Sequence, residues 1–167
     1  MARRPALIIA VLAALASTAP FAAVRAEGAV SPVKLAVLDD MSGPYAENSG
    51  QGNVLAVRMA IKDFGGLLLG QPIEMVSADL QNKVDIGMSV ARKWFDVDGV
   101  DAILGMGSSA AALAVQKLAA DKNRITLATT PATAELTGKS CSPNGVHWVY
   151  DTYALGKGAA TAVVAQG

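Results

Sequence analysis

The feature that most restricts the fold of this chain is a regular alternation of short apolar runs with longer helical patterns. The runs typical of β-strands lie at residues 33–38, 73–78, 101–105, 125–128 and 146–150. Apolar residues recur at helical spacing in the segments between and after them, at residues 53–64, 84–95, 109–121 and 152–166. Strands and helices that alternate about every 30 residues are typical of βαβ units. The sequence therefore predicts an α/β fold with a doubly wound parallel sheet.

The first 26 residues differ in character from the rest of the chain. Two arginines precede an apolar stretch of small residues, and Val24-Arg25-Ala26 places small side chains at both positions that signal peptidase reads. This pattern predicts a secretory signal peptide cleaved after Ala26. The alternative is a membrane anchor, which fits less well because the apolar run before Pro20 is short for a bilayer and no stop-transfer charges follow.

Charge and cysteine content argue against several kinds of partner. The chain has 14 basic and 14 acidic residues, and three of the basic ones but none of the acidic ones lie in the predicted leader, so the remainder is mildly acidic. No basic patch indicates a nucleic acid as partner, and no cluster with metal-ligand spacing indicates a metal. One cysteine, Cys141, is unusual in an exported protein and indicates either a free buried thiol or a partner elsewhere.

The turn from Gly105 to Ala110, GMGSSA, ends a predicted strand and begins a helix. Its glycine pattern is that of dinucleotide-binding turns, but it follows the third strand and no acidic residue lies about 20 residues further on to bind a ribose. What remains is the attraction of a helix N-terminus for anions, to which Ser108 and Ser109 add hydroxyl donors. The turn predicts a cradle for a small carboxylate. The alternative is that one of the serines only caps the helix.

The loop TTPATAELTG, residues 129–138, follows the next predicted strand. Loops after adjacent parallel strands meet over one crevice, so Thr129, Thr130 and Thr133 are expected to face the same ligand with hydroxyl and backbone N–H groups. The alternative is that these hydroxyls and Pro131 only shape a turn.

Three segments together resemble one family: residues 33–53, 103–123 and 126–158. Behind an export leader, they look like the amino-terminal lobe of periplasmic substrate-binding proteins of the branched-chain amino acid (Leu/Ile/Val-binding) type. The resemblance covers roughly residues 32 to 165. Its most specific parts are the serine pair at Ser108 and the Ala-Thr-x-x-Leu-Thr-Gly loop that begins at Ala132.

The resemblance implies the extracytoplasmic solute-binding component of an ABC importer. Such a protein would be a periplasmic monomer without catalytic residues, cofactor or metal. It would bind an amino acid or related small carboxylate between two hinged lobes and deliver it to a membrane permease.

The resemblance also implies which residues contact the ligand. Ser108, with Ser109 beside it, would meet the ligand carboxylate, and the Pro131 carbonyl would face its amine. Tyr45 and Asn48 would lie near the ligand side chain. The full set of expected ligand-binding residues is Ser108, Ser109, Pro131, Ala132, Thr133 and Tyr45.

Other conspicuous residues are expected to be structural. Trp94 should be core, Trp148 and Tyr150 should alternate along the fifth strand beneath the hinge, and Asp151 should cap the last helix. Asp39, Asp40 and Asp79 end strands, and their carboxylates are expected to accept hydrogen bonds from loop N–H groups. His147 is expected to have a structural role.

The family has two lobes, so the resemblance implies a truncated chain; the alternative is a protein that works with a single lobe. The expected organisation is a signal peptide at residues 1–26, an amino-terminal lobe at 27–151 and the start of a crossover helix at 152–167. A disulfide partner of Cys141 would lie in the missing part.

Two other functions stay open. One is a ligand-sensing receptor module of the same fold. The other is a secreted α/β enzyme with Ser108 as nucleophile and His147 as base, although the turn lacks the Gly-x-Ser-x-Gly elbow that such enzymes use.

Overall fold

The computed structural model describes residues 31–167, and the predicted leader lies outside this range. The strands are β1 (Lys34–Asp39), β2 (Leu67–Leu68), β3 (Gln71–Pro72), β4 (Glu74–Asp79), β5 (Ala102–Gly105), β6 (Ile125–Ala128) and β7 (Gly145–His147). The helices are α1 (Gly50–Asp63), α2 (Val84–Lys93), α3 (Ser109–Asp121) and α4 (Thr152–Gln166).

Five of the strands form one parallel sheet in the order β4-β1-β5-β6-β7, which confirms the predicted parallel α/β architecture. The register aligns their carboxyl ends: Asp39 is paired with Asp79, and Gly105 with Ala128. The loops that follow these strands therefore leave the sheet along one edge, which is where open α/β sheets bind ligands.

Helices cover both faces of the sheet. Successive residues of a strand point to opposite faces; accordingly, Leu38 of β1 belongs to the core formed with α2 and α3, whereas Val37 lies against the α1 side. Leu38, Leu80 and Ile103 are fully buried in that core. Each such side chain contributes about 1.5–3 kcal/mol relative to an exposed one. The core thus fixes the strands whose ends carry the candidate site.

Several expectations about single residues are confirmed and others are wrong. Trp94 is buried in the core, as predicted, and Asp151 caps α4 by accepting a hydrogen bond from the N–H of Ala154 at 2.7 Å. Trp148 and Tyr150 do not lie in a strand, because β7 ends at His147; their exposed fractions are 75% and 57%. Cys141 is exposed, so of the two alternatives for this cysteine the buried thiol is wrong.

Candidate ligand-binding site

A buried carboxylate holds together the loops at the carboxyl edge of the sheet. Asp39, fully buried at the end of β1, accepts hydrogen bonds from the Ser49 hydroxyl at 2.7 Å and the Gly107 N–H at 2.8 Å. Its second oxygen accepts from the Asn53 amide at 2.6 Å. These bonds join the start of α1 to the turn after β5. One buried carboxyl group thereby fixes the turn that was predicted to be an anion cradle.

The two glycines of that turn allow this close approach. Gly105 has φ +92°, and a Cβ there would lie 2.6 Å from a carboxylate oxygen of Asp39. A Cβ on Gly107 would collide with the other oxygen of Asp39. The glycine pattern is therefore explained by the protein's own carboxylate, and this geometry gives no support to a dinucleotide.

The N-terminus of α3 and the loops after β1 and β6 surround a groove of about 440 Å³. Its walls contain hydroxyls, amides and apolar side chains, from Tyr45, Asn48, Gly107, Ser108, Ser109, Ala110, Thr130, Pro131, Ala132, Tyr150 and Leu155. Five of the six residues predicted to bind a ligand are thus brought together. The sixth, Thr133, is not in this wall, and its hydroxyl accepts a hydrogen bond from the N–H of Glu135 at 3.3 Å.

Ser108 stands at the N-cap position of α3 without capping it. Its side chain makes no hydrogen bond to the helix, although only 7% of the residue is exposed. The first bond that closes the helix runs from the N–H of Ala112 to the carbonyl of Ser108, at 2.8 Å. The N–H groups of the preceding first turn have no intrahelical acceptor. The groove is therefore lined by Ser108, whose hydroxyl does not cap the helix, and by the N-terminus of α3.

The loop after β6 has a hydroxyl donor at Thr130 and carbonyls that also make internal contacts. The Asn53 amide donates to the Thr130 hydroxyl oxygen at 2.8 Å, which leaves the Thr130 O–H free to donate. The carbonyl of Pro131 lies 2.6 Å from Nε2 of His147, and the carbonyl of Ala132 accepts from the N–H of Thr152 at 2.7 Å. His147 thus has the structural contact that was predicted, and each of these carbonyl oxygens has a second lone pair that this bond does not use.

The two other strand-end aspartates shape the entrance loop. Asp40, fully buried, accepts from the N–H groups of Gly43 and Tyr45 at 2.9 and 3.0 Å. Asp79 accepts from the N–H of Met41 at 2.9 Å and from the Ser42 hydroxyl at 2.5 Å. These contacts confirm that the aspartates satisfy loop donors.

The same contacts set the ionisation of Asp79. Burial raises its pKa, but the hydrogen bonds from Ser42, Met41 and Gln81 together outweigh burial and hold the pKa below its ordinary value. The carboxylate therefore stays charged, and its charge is directed to the loop that carries Tyr45.

Sequence reasoning missed several residues that matter for the site. The Asn53 amide donates to both Asp39 and Thr130, and the Ser49 hydroxyl donates to Asp39. Neither residue belongs to a recognisable motif. Tyr150 and Leu155 line the groove from the segment after β7. Tyr150 and Leu155 could have been predicted to lie near the groove, because their segment follows a strand that ends at the same edge of the sheet.

The described residues also bear on the other functions. Within residues 31–167, no three His, Cys, Asp or Glu side chains come together to hold a metal ion. None of the helices in that range is long and apolar enough to cross a bilayer. Nε2 of His147 contacts the Pro131 carbonyl, and His147 makes no hydrogen bond to Ser108 within residues 31–167.

A family model described as "Periplasmic binding protein" matches residues 32–167. The chain belongs to the periplasmic binding protein family. This confirms the resemblance found in the sequence. Among curated proteins, none matches the chain.

Solved structures of periplasmic binding proteins agree with this assignment. A periplasmic binding protein from Burkholderia mallei is 46% identical, with a TM-score of 0.79, over 81% of this chain and 36% of its own. A branched-chain amino acid ABC transporter periplasmic ligand-binding protein from Burkholderia xenovorans LB400 is 44% identical, with a TM-score of 0.76, over the same shares. The chain thus spans about a third of the length of these structures.

A third structure, at lower identity, carries a ligand. The solute-binding protein of an ABC transporter from Rhodopseudomonas palustris BisB5, in complex with 3,4-dihydroxybenzoic acid, is 26% identical. Its TM-score is 0.66, and the match covers 72% of this chain and 32% of that protein.

Proposed function

We propose that this chain is the amino-terminal, ligand-binding lobe of an extracytoplasmic solute-binding protein that delivers a small carboxylate to the permease of an ABC importer. The observation that carries the proposal is Ser108, a buried residue that lines the groove at the N-terminus of α3 and whose hydroxyl does not cap the helix. A carboxylate there would accept from the Ser108 hydroxyl and from N–H groups of the first helical turn, with the helix dipole adding to the attraction.

The expected affinity of this site for a carboxylate fits a transport protein. A hydrogen bond to a charged group contributes about 1.5–3 kcal/mol. Two or three of them supply much of the roughly 8 kcal/mol that corresponds to micromolar affinity. Ser108, Ser109, Tyr45, Pro131 and Ala132 form the proposed contact surface, and Thr133 supports the loop beside it.

The relatives support the carboxylate and the transport role. One similar protein is named for branched-chain amino acid transport, and another holds 3,4-dihydroxybenzoic acid, so both kinds of acid are candidates. We propose that residues 1–26 direct export to the periplasm, that residues 27–151 form the lobe and that residues 152–167 begin the crossover to a second lobe, in a monomeric protein. The second lobe is also where we place a disulfide partner of Cys141.

A thermal-shift screen of the purified full-length protein against amino acids and aromatic and aliphatic acids tests the proposal. A ligand that binds only the folded state raises the melting temperature in proportion to the logarithm of its concentration. We expect at least one carboxylate to do so and Ser108→Ala to weaken its affinity about tenfold or more. Ser89→Ala, at an exposed position of α2, is the matched control. No stabilising carboxylate, or equal loss in both variants, would contradict the proposal.

A further inference from the structure

Asn53, in the first turn of α1, connects two loops at the edge of the groove. Its side-chain nitrogen lies 2.6 Å from a carboxyl oxygen of Asp39 and 2.8 Å from the hydroxyl oxygen of Thr130. Thr130 is half-buried and is one of the residues that line the groove, together with Ser108. A residue of α1 thus holds a threonine of the groove wall by its hydroxyl group.

The hydrogens of this contact determine what the Thr130 hydroxyl has left. A side-chain amide nitrogen has two hydrogens and does not accept, and a hydroxyl has one hydrogen and two lone pairs. The two short contacts of Asn53 use both amide hydrogens, so the Thr130 oxygen accepts one of them and its own hydrogen points elsewhere. Within residues 31–167, no group accepts the Thr130 hydrogen. The hydroxyl therefore keeps its hydrogen, and one lone pair, for a further partner.

The same contact fixes where Thr130 stands relative to Ser108. Asp39 is fully buried and accepts from the N–H of Gly107, the residue before Ser108, at 2.8 Å. Its other oxygen accepts from Asn53, which in turn donates to Thr130. One buried carboxyl group thus holds both the turn that carries Ser108 and, through Asn53, the hydroxyl of Thr130. Groups that are held in place before binding lose less conformational freedom when a ligand arrives.

We propose that Thr130 is a further ligand-binding residue, whose hydroxyl donates to an oxygen of the ligand, and that Asn53 is the positioning residue that holds this hydroxyl in place. The inference rests on the proposed function, because it adds a contact to the same groove. It concerns the protein's side of the contact, so it holds for any acid that the groove takes.

The neighbouring threonine provides a matched control. The sequence predicted that Thr129 and Thr130 would face the same ligand, but Thr129 does not line the groove. It lines a separate cavity with Val37 and Leu127, and its hydroxyl oxygen is 3.4 Å from the Asn53 nitrogen. The two threonines therefore offer the same substitution at adjacent positions, one inside the groove and one outside it.

Calorimetric titration of the full-length protein tests the contact, with L-leucine and 3,4-dihydroxybenzoate as probes. If neither binds, the acid with the largest thermal shift in the screen takes their place. Thr130→Val keeps the shape of the side chain and removes the hydroxyl, and we expect it to weaken binding about tenfold. Thr129→Val should change the affinity by less than about twofold. Melting temperatures without ligand show whether both variants are folded.

A double-mutant cycle tests the role of Asn53. Asn53→Leu removes the amide and keeps a side chain of similar shape. Because Asn53 acts through Thr130, this change should weaken binding about threefold or more when Thr130 is present and clearly less in the Thr130→Val background. Equal losses in both backgrounds are the result for an amide that only stabilises the fold, and they overturn the positioning role. If Asn53→Leu does not fold, Asn53→Ala gives the same comparison.

The outcomes separate this inference from the proposed function. Weaker binding in Ser108→Ala, with unchanged binding in Thr130→Val, overturns the inference and leaves the proposed function intact. Equal losses in Thr130→Val and Thr129→Val also overturn it. If no acid binds the wild-type protein, the proposed function is wrong and the ligand contact of Thr130 is wrong with it.

Discussion

At the scale of single residues, Asp39 is the side chain on which the geometry of the groove depends. It is fully buried and accepts hydrogen bonds from Ser49, Asn53 and Gly107, so it joins α1 to the turn that precedes α3. Such contacts between distant parts of the chain convert a flexible glycine turn into a fixed one. The position of Ser108, next along the chain, follows from them.

Replacing this carboxylate is expected to destabilise the fold. Asp39→Asn places an amide donor where N–H and O–H groups already point, so we expect a loss of about 2–4 kcal/mol in the free energy of unfolding. Urea denaturation of the variant measures it. Asp63→Asn, at an exposed position at the end of α1, is the matched control and should change little. A loss below about 0.5 kcal/mol would refute the role given to Asp39.

The lowered pKa of Asp79 predicts a pH dependence. A carboxylate whose pKa is depressed in the folded state stabilises the fold above its unfolded pKa, and this stabilisation is lost as the pH falls toward the folded pKa. The relevant window therefore lies below about pH 4. Because the Ser42 hydroxyl helps to lower the pKa, Ser42→Ala should raise it and make the acid loss of stability shallower.

Carboxyl NMR titration of Asp79, together with unfolding at several acidic pH values, checks this expectation. The exposed serine variant Ser89→Ala serves again as control. An Asp79 pKa that stays the same or falls in Ser42→Ala would show that the hydroxyl does not stabilise the charged form.

At the scale of elements, the sequence predicted correctly the helices and strands whose ends are marked by turn-forming or capping residues. The bounds of α3 and β6 agree with prediction, because glycines and serines precede the helix and a polar loop follows the strand. The hairpin of β2 and β3 was missed since its strands have two residues each. Its turn, at Leu69 and Gly70 with φ of 51° and 78°, does not contain the Asn-Gly signal of such hairpins.

The last strand was predicted too long for a physical reason. Residues 146–150 have the aromatic and β-branched composition of a strand, but β6 ends at Ala128, which pairs with His147. Beyond that pair, Trp148 and Tyr150 have no strand beside them, so they leave the sheet. The β-propensity of residues 146–150 indicated a strand, whereas the length of the neighbouring strand β6 determined where β7 ends.

The candidate site was predictable where it is local in sequence. Ser108 and Ser109 follow a strand and begin a helix, so their place at the groove follows from the fold class. The bonds from Asp39 to Gly107 and from Asn53 to Thr130 span 68 and 77 residues of sequence. The spacing of residues within one helix or strand does not reveal contacts between distant segments. The hydrogen bonds that hold the site together were therefore found only in the structure.

At the scale of the whole molecule, α4 stands apart from the core. None of its residues is buried, and Tyr153, Leu155, Val163 and Val164 are exposed apolar side chains. Apolar surface of this kind is typical of a segment that packs against another part of a protein. We therefore expect α4 to be covered in the full-length protein.

Hydrogen exchange checks this expectation. Amides of α4 should exchange slowly in the full-length protein and at least tenfold faster in a fragment that ends at Gly167, because an isolated helix of this length is marginal in water. Amides of β1, in the centre of the sheet, provide the internal comparison. Equal protection of α4 in both would show that it needs no further packing.

The proposed function depends on binding of the ligand carboxylate by the N-terminus of α3 and the Ser108 hydroxyl. The most direct measurement is a crystal structure of the full-length protein with the acid that the screen identifies. We expect a carboxylate oxygen within hydrogen-bond distance of Ser108 Oγ and of an N–H group in the first turn of α3. A carboxylate bound elsewhere, or a Ser108 hydroxyl directed away from the ligand, would contradict it.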